Sequence, residues 1–228
     1  MSLSGVTLAF DLDGTLVDTA PDLIGTLNVM LGERDLPHVP LASARHLVGR
    51  GARVMLEHGF QEAGAEFSHQ EAPALLDQFI DLYLARIAQE SRPFEGVVET
   101  LDHFAGEGAN LVVVTNKLTR LSAALLDALD LTHRFAFVAG PDVVSARKPS
   151  GAHLREAVLT AGGDPARCLM VGDSAPDVAC ARALGAPVVL VGFGYTETAA
   201  EELGADAVIS AFDELPAVVA DLVVMRGT

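Results

Sequence analysis

The sequence predicts an α/β protein: a Rossmann-like, doubly wound parallel sheet with a helical cap inserted after the first strand. Two observations predict this fold. Short apolar runs alternate with helical stretches, and continuous apolar runs are typical of parallel strands that helices cover on both faces. The alternation is interrupted once, by a long segment with helical periodicity only. The predicted strands comprise residues 6–10, 110–115, 135–139, 168–172, 187–191 and 207–210.

The interrupting segment lies between residues 21 and 92. Its apolar residues at helical spacing include Leu75, Leu76, Phe79, Ile80, Tyr83 and Ile87. Ala20-Pro21 is typical of a helix start, and residues 91–96, which include a proline and a glycine, are typical of a linker that returns to the sheet. We therefore predict a core domain of residues 1–20 and 93–228 and a cap domain of residues 21–92.

The composition excludes several classes of function. The 228-residue chain has a formal net charge of −16, from 15 basic and 31 acidic residues, without a run of Lys or Arg. Binding to nucleic acid or to an anionic membrane is therefore not expected. The sequence shows neither an apolar stretch long enough to span a bilayer nor a secretory signal, so we expect a cytoplasmic protein. Cys168 and Cys180 lie in apolar surroundings without metal-ligand spacing, which indicates reduced, packed thiols.

Two acidic residues, Asp11 and Asp13, follow the first predicted strand. Alternate residues of a strand point to one side, so these two carboxylates start out facing the same way. Their mutual repulsion requires a cation or a proton to relieve it. Magnesium takes hard oxygen ligands and often bridges carboxylates to a substrate phosphate. The end of this strand therefore predicts a metal-assisted site for phosphoryl chemistry.

Later strand ends carry the other groups that phosphate chemistry needs. Thr115 and Asn116 offer a hydroxyl and an amide that, with neighbouring backbone N–H groups, can bind phosphate oxygens. Lys148 supplies a compact cation that can neutralise charge on a phosphate and on a carboxylate nucleophile. Asp173 and Asp177 add two acids at a predicted turn from strand to helix. Open parallel sheets bind ligands beyond the carboxyl ends of their strands, so we expect these groups to converge.

These motifs occur in a fixed order along nearly the whole chain, and in that order they resemble the haloacid dehalogenase superfamily. The motifs are Asp11-x-Asp13-Gly14-Thr15, Thr115-Asn116, Lys148-Pro149 and Gly172-Asp173-x-x-x-Asp177. The resemblance implies that Asp11 attacks phosphorus and forms an aspartyl phosphate. It also implies that Asp13 protonates the leaving oxygen and then activates the hydrolytic water.

The same resemblance implies a Mg²⁺ cofactor. Its ligands would be the Asp11 carboxylate, the Asp13 backbone carbonyl and the Asp173 carboxylate. Asp177 would be a ligand through water or a support for the other ligands. An acid in the first turn of a helix can instead only complement the helix dipole, so a structural role for Asp177 stays open. The residues implied to hold the transferring phosphoryl group are Thr115 and Lys148.

Single residues separate the chemistries within the superfamily. Members that cleave carbon–halogen bonds have a tyrosine at the position of Asp13, and phosphonate-cleaving members have a small residue there. The β-phosphoglucomutase branch has a histidine soon after the first motif, where residues 19–23 contain none. These differences favour a phosphatase that hydrolyses a small phosphorylated metabolite. The alternatives within the superfamily are a phosphatase of another sugar or nucleotide phosphate, a pyrophosphatase and a mutase.

Three segments resemble the phosphoglycolate phosphatase branch of the superfamily: residues 11–23, 48–53 and 192–195. This resemblance implies hydrolysis of 2-phosphoglycolate to glycolate. The carboxylate of such a substrate needs a partner other than Lys148, and an arginine fork suits a carboxylate. We predict that Arg50, on a glycine-flanked loop of the cap, is that partner, because Arg53 is expected to lie on the following helix.

A function of a different class also fits part of the pattern. Receiver domains of signalling proteins use an aspartyl phosphate, Mg²⁺, a Thr or Ser and a Lys on a doubly wound sheet. Asp13 discriminates between the two classes, since an acid there serves to protonate an alcohol and to hydrolyse the intermediate. A long-lived phosphorylated switch does not need that acid. The helical insert likewise favours a capped enzyme.

Overall fold

The computed structural model describes residues 2–226, with side chains described as far as residue 223, and these residues form a six-stranded sheet and a two-stranded ribbon. The strands are β1 (Thr7–Phe10), β2 (Val17–Asp18), β3 (Arg92–Pro93), β4 (Asn110–Val114), β5 (Phe137–Ala139), β6 (Cys168–Gly172), β7 (Val188–Val191) and β8 (Ala207–Ile209). The larger sheet has the order β5-β4-β1-β6-β7-β8, and all its pairs are parallel. The predicted parallel sheet is confirmed, with each of its six strands at most two residues shorter than expected.

The first strand, β1, lies at the centre of this sheet between β4 and β6, with Phe10 opposite both Val113 and Val171. Leu8 and Phe10 pack on one face of the sheet and Ala9 on the other, which explains why the strand is apolar throughout. The chain adds strands to one side of β1 and then to the other, so β1 is the topological switch point. Sheets of this kind bind ligands at the carboxyl ends of the strands there.

Helices cover both faces of the sheet and also form the segment between β2 and β3. They are α1 (Ala20–Gly32), α2 (Leu41–Ala44), α3 (Ala52–Glu62), α4 (Ala72–Leu84), α5 (Val97–Gly106), α6 (Thr119–Ala128), α7 (Gly151–Thr160), α8 (Ala175–Leu184) and α9 (Leu215–Arg226). The apolar residues of α5 and α9 pack on the Phe10 face, and those of α7 and α8 pack on the Ala9 face. Cys168 and Cys180 are buried free thiols. No helix within the described residues is both long and apolar enough to cross a bilayer.

Four helices, α1 to α4, lie in the segment expected to form the cap, and they share an apolar cluster of their own. On α4 the predicted periodicity buries Leu75, Phe79 and Tyr83 on one face. The helix ends at Leu84, so Ile87 lies in the turn that follows instead of on the helix. The division into a core of residues 1–20 and 93–228 and a cap of residues 21–92 stays a prediction.

The antiparallel ribbon of β2 and β3 joins the two chain connections between the sheet and the cap helices. The sequence analysis missed both strands, because two residues are too few to show a periodicity. Beside the ribbon, the buried carboxylate of Asp22 accepts hydrogen bonds from the backbone N–H and hydroxyl of Ser91, both at 2.7 Å. The two connections are therefore held side by side at one end of the sheet.

Candidate active site

The polar residues predicted from the strand ends meet at the carboxyl edge of the sheet, around the end of β1. Seven of the eight predicted site residues are linked there by the contacts described below. They are Asp11, Asp13, Thr115, Asn116, Lys148, Asp173 and Asp177. The eighth, Arg50, is exposed on the loop before α3.

Asp11 directly follows β1, and its Oδ1 lies 2.7 Å from the Nζ of Lys148. Lys148 Nζ lies equally close, at 2.7 Å, to Oδ1 of Asp177, so one ammonium group is shared between two carboxylates. Burial, together with repulsion from Asp177, raises the pKa of Asp11 to about 7 despite the attraction of Lys148. Although burial lowers it, the two carboxylates raise the pKa of Lys148 above its ordinary value, so it remains charged.

Asp173 lies at the end of β6 and completes a buried acidic cluster with Asp11 and Asp177. One carboxylate oxygen from each residue lies within 4.8 Å of the others. Burial, and repulsion from Asp177 and Asp11, raises the pKa of Asp173 to about 8. Three carboxylates against the single charge of Lys148 leave an excess of negative charge in a buried place. This donor set of hard oxygen atoms fits a divalent cation such as Mg²⁺.

Asp177 lies in the first turn of α8, where both of its oxygen atoms have protein donors. Oδ1 accepts from Lys148 Nζ, and Oδ2 accepts from the backbone N–H of Ser174 at 3.1 Å and from its hydroxyl at 2.8 Å. The contacts with Ser174 stabilise the start of α8. This is the structural role that the sequence analysis left open for Asp177. The ion pair with Lys148 places the same carboxylate inside the site as well.

The backbone of Lys148 is held by two side chains. Asn116 forms a reciprocal pair with it: Nδ2 donates to the Lys148 carbonyl at 3.1 Å, and Oδ1 accepts from the Lys148 N–H at 3.0 Å. His153 Nδ1 lies 3.1 Å from the same N–H, and its Nε2 lies 3.0 Å from the carbonyl of Ala139. Burial lowers the pKa of His153 to about 4, so the ring is neutral at pH 7. The side chain of Asn116 therefore positions the lysine, a contact that sequence reasoning did not anticipate.

Asp13 has a different lysine as its partner. Its Oδ1 accepts from Lys117 Nζ at 2.9 Å and from the hydroxyl of Thr19 at 2.7 Å. Lys117 Nζ also donates to the hydroxyl of Tyr83 at 2.9 Å and lies 4.5 Å from the centre of the Tyr83 ring. Tyr83 belongs to α4, so this chain of contacts links the end of β1 to a helix of the predicted cap.

Sequence reasoning missed Lys117, although the composition held a signal. The chain has thirteen arginines but only two lysines, Lys117 and Lys148, and each pairs with one of the two predicted catalytic carboxylates. Burial lowers the pKa of Lys117, but Asp13 and Tyr83 together raise it more, so its net shift is upward and it carries a charge. The repulsion predicted between Asp11 and Asp13 is thus relieved in part by two lysines.

A second tyrosine, Tyr195, contacts the backbone at the start of α1. The hydroxyl of Tyr195 accepts hydrogen bonds from the backbone N–H groups of Thr19 and Ala20, at 2.7 and 3.1 Å, and donates to Asp18 at 2.5 Å. The guanidinium of Arg45, from the cap, lies 5.0 Å from the centre of the Tyr195 ring. These contacts fix the start of α1 directly behind the acids that follow β1.

Position 14 requires a glycine, because Asp173 and Tyr195 approach its backbone closely. Its φ is +81°, and a Cβ built there would lie 2.6 Å from Oδ2 of Asp173 and 2.7 Å from the ring of Tyr195. The backbone N–H of Tyr195 donates to that same carboxylate oxygen at 2.7 Å. A side chain at position 14 would therefore displace one of the predicted metal ligands.

The predicted substrate residue Arg50 lies between two glycines with positive φ, Gly49 and Gly51. Arg53, as expected, lies on α3, where it pairs with Glu57 at 2.9 Å. The structure describes an exposed Arg50 side chain and no contact between it and the acids of the site. Its role as the carboxylate partner stays a prediction.

Comparison with known proteins identifies the family of this chain. Residues 8–191 match the family model described as haloacid dehalogenase-like hydrolase, and the chain belongs to that family. The resemblance inferred from the strand-end motifs is confirmed.

Individual relatives show which members of the family this chain resembles. The chain is 56% identical to a phosphoglycolate phosphatase of Caulobacter vibrioides, over 94% of this chain and 90% of that protein. It is 45% identical to a phosphoglycolate phosphatase of Mesorhizobium japonicum, over 93% of this chain and 94% of that protein. Among solved structures, a predicted phosphoglycolate phosphatase from Haemophilus somnus matches with a TM-score of 0.87 and 28% identity, covering 96% of this chain and 99% of that one. The predicted enzyme class, a phosphoric monoester hydrolase, is confirmed.

Proposed function

We propose that this protein is a Mg²⁺-dependent phosphatase that hydrolyses 2-phosphoglycolate to glycolate through an aspartyl phosphate. The observation that carries the proposal is the arrangement at the end of β1. There Asp11 pairs with Lys148 beside an excess of buried carboxylates, while Asp13 pairs with Lys117. Two acids two residues apart thus have different surroundings, as expected if they perform different chemical tasks. The substrate is proposed from the printed names of the relatives.

Asp11 is proposed as the nucleophile. A carboxylate oxygen forms a bond to phosphorus while the bond from phosphorus to the leaving alcohol oxygen breaks, which divides one difficult displacement into two easier steps. Lys148, 2.7 Å from Asp11, offsets negative charge on the phosphoryl group during both steps. Asn116 and His153 hold the backbone of that lysine in place.

Asp13 is proposed as the general acid and then the general base. It donates a proton to the leaving oxygen in the first step and takes a proton from the attacking water in the second. The water oxygen then replaces the Asp11 oxygen on phosphorus, which releases inorganic phosphate and restores the Asp11 carboxylate. Thr19 and Lys117 fix the position of the Asp13 side chain between these steps.

The phosphoryl oxygens need donors, and several lie at the ends of β1 and β4. Within the described residues, the backbone N–H groups of Leu12, Asp13 and Asn116 donate to no protein acceptor. The hydroxyl oxygen of Thr115 accepts from the backbone of Lys117 at 3.1 Å, which leaves the hydroxyl proton for an incoming oxygen. Orphan backbone donors at the edge of a sheet are expected where an anion binds.

The buried acids fit the Mg²⁺ ion that the family implies. Asp11 and Asp173 would hold it with their carboxylates, and Asp13 with its backbone carbonyl. Asp177 would support them, because its two oxygens already accept from Lys148 and Ser174. When bound, the ion would neutralise charge on the phosphoryl group and the nucleophile.

Phosphate release from a panel of phosphorylated metabolites tests the proposal. We expect Mg²⁺-dependent turnover that is fastest with 2-phosphoglycolate, and none in the Asp11→Asn variant. Faster turnover of a sugar phosphate, a nucleotide or pyrophosphate would overturn the substrate. Transfer of the phosphoryl group to a second sugar hydroxyl would indicate a mutase. A single stable phosphorylation without turnover would indicate a receiver-like module.

The sequence also predicts the partners and the location of the enzyme. We expect a small phosphorylated metabolite as its partner, with no nucleic acid or membrane involved, and a cytoplasmic location. The charge of −16 argues against the polyanionic partners. A filter-binding assay with DNA and vesicle sedimentation with anionic lipid would check both exclusions.

A further inference from the structure

We propose that Lys117, together with the hydroxyl of Tyr83, binds the carboxylate of the substrate's leaving group and so selects phosphate esters of small hydroxy acids. The inference rests on the proposed function, because it assumes that Asp13 serves the leaving oxygen. It adds a specificity site that lies on both the core and the cap.

The first argument is that one of the two lysines of the chain is buried in the site. Lys117 is one of two lysines in the chain, and its side chain is only 6% exposed. Burying an ammonium group is costly unless the charge has partners. Its partners here are Asp13 and the hydroxyl of Tyr83. Because burying this ammonium group costs free energy, its position next to the proposed acid, Asp13, indicates a function in the site.

The second argument is hydrogen-bonding capacity. An ammonium group has three N–H donors, and the described residues provide acceptors for two of those of Lys117. The hydroxyl of Tyr83 accepts from Lys117, so its own proton is left to donate. Burial raises the pKa of Tyr83, which keeps that proton in place at neutral pH. The pair therefore offers a carboxylate one charged and one neutral donor.

The third argument is the geometry of the reaction. If Asp13 protonates the leaving oxygen, the atoms attached to that oxygen must lie on the Asp13 side of the phosphorus. In 2-phosphoglycolate the carboxylate carbon is two bonds from the leaving oxygen, so its oxygens lie within about 4 Å of it by ordinary bond lengths. Lys117 Nζ lies 2.9 Å from Asp13, so it lies on the side of the site where this carboxylate would be. Lys148 already pairs with Asp11 and Asp177 on the phosphoryl side.

Three arginines of the predicted cap suit this task less well. Arg45 contacts Asp18, at 3.5 Å, and the ring of Tyr195, and the described contacts do not include one with Asp13. Arg50 is exposed, where an ion pair with a substrate is weakened by water. Arg53 pairs with Glu57 on the surface of α3. Lys117 combines burial, a spare donor and contact with Asp13.

The experiment compares two substrates that differ only at the proposed contact. Values of kcat/KM are measured for 2-phosphoglycolate and for ethyl phosphate, which has a methyl group in place of the carboxylate, in the wild type and in Lys117→Met, Lys117→Arg and Tyr83→Phe. Arg53→Met, an exposed cation on the cap, is the matched control. Thermal unfolding of each variant shows that it is folded.

We expect the wild type to prefer 2-phosphoglycolate. Lys117→Met should lower the ratio of the two kcat/KM values about 10- to 100-fold, the value of one charge-assisted hydrogen bond. Tyr83→Phe should lower the ratio about 3- to 10-fold, since it removes a neutral donor. Lys117→Arg should keep part of the preference, and Arg53→Met should keep all of it.

A purely structural ion pair between Lys117 and Asp13 gives a different pattern. Equal losses on both substrates in Lys117→Met would overturn the inference while leaving the proposed phosphatase intact. If Lys117→Met does not fold, an unchanged ratio in Tyr83→Phe would overturn it. A wild type that hydrolyses neither ester would instead refute the proposed function, and the inference with it.

Discussion

The site contains two lysine–carboxylate groups that differ in what else they touch. Lys148 lies between Asp11 and Asp177, and all three belong to the predicted core. Lys117 lies between Asp13 and Tyr83, the second of which belongs to α4 in the predicted cap. The first group comes from the residues after β1, before α7 and at the start of α8, at the edge of the sheet. The second includes a cap residue, where enzymes on one scaffold acquire different substrates.

The two groups also differ in charge. Around Lys148, three buried acids face one ammonium, and the pKa of Asp11 and of Asp173 rises to about 7 and about 8, mainly through burial. Around Lys117, one carboxylate faces one ammonium, so the charges balance. An excess of negative charge suits a divalent cation, whereas Lys117 keeps one N–H donor free for a substrate anion while it stays paired with Asp13. The first group is therefore suited to the ion and the phosphoryl group, and the second to the leaving group.

The largest effect is expected from the Asp11→Asn variant, which removes the nucleophile from the Lys148 group. The amide has nearly the same volume, and Lys148 keeps Asp177 as a partner, so the fold should be retained. Turnover should fall by about four orders of magnitude or more. Phosphate release and circular dichroism check these two expectations. Labelled substrate should modify residue 11 in the wild type, and retained activity in the variant would refute the assignment.

The next effect concerns the Lys117 group. Asp13→Asn removes the proposed acid and base but leaves an amide oxygen for Lys117 and Thr19. We expect both formation and hydrolysis of the aspartyl phosphate to slow about 10²- to 10⁴-fold. Rapid-quench measurements with labelled 2-phosphoglycolate, whose leaving group is an alcohol, separate the two steps. Unchanged rates in both would exclude Asp13 as acid and base.

Lys148→Met tests whether the first group acts on every substrate alike. Loss of a cation aimed at the phosphoryl group should lower kcat/KM about 10²- to 10³-fold. The loss should be equal for 2-phosphoglycolate and ethyl phosphate, in contrast to Lys117→Met. The variant also leaves Asp11 and Asp177 without their cation, so urea unfolding should show a lower free energy of unfolding. A loss selective for one substrate would contradict the division between the two groups.

The charge excess predicts how stability depends on pH without a divalent ion. The pKa of Asp11 rises from 3.8 to about 7 and that of Asp173 from 3.8 to about 8. Between these values the folded state binds more protons than the unfolded state, so the free energy of unfolding falls as pH rises from about 4 to about 8.

Added Mg²⁺ should reverse this loss, because it pairs with the ionised carboxylates. The rise in Tm on adding Mg²⁺ should therefore be larger at pH 8 than at pH 5, where a proton must first leave. Calorimetry at both pH values measures the difference, and Asp173→Asn, which lacks one proposed ligand, should show a smaller rise. An equal rise in Tm at both pH values would contradict the charge excess.

The smallest effect is expected from Arg50→Ala. If this exposed arginine also contacts the carboxylate, kcat/KM for 2-phosphoglycolate should fall up to about 10-fold while that for p-nitrophenyl phosphate stays unchanged. Comparison with Lys117→Met shows which cation contributes more. Equal losses on both substrates would remove Arg50 from substrate selection.

The sequence alone predicted the sheet and the acids at its edge. The strands were recognisable because parallel strands buried on both faces need continuous apolar runs, a property carried by adjacent residues. Asp11, Asp13, Lys148 and Asp173 were recognisable because each follows a strand or lies in a short motif. The ribbon of β2 and β3 was missed because its strands are too short to carry a pattern.

The tertiary structure alone decided the partners of these residues. Lys117 meets Asp13 across 104 positions of the chain and Tyr83 across 34, and the carboxylate of Asp18 meets Tyr195 across 177. No local pattern encodes such contacts, because they depend on how the cap helices pack against the sheet edge. Local residue order therefore determined which chemical groups are present. Packing of distant segments decided which acid pairs with which lysine.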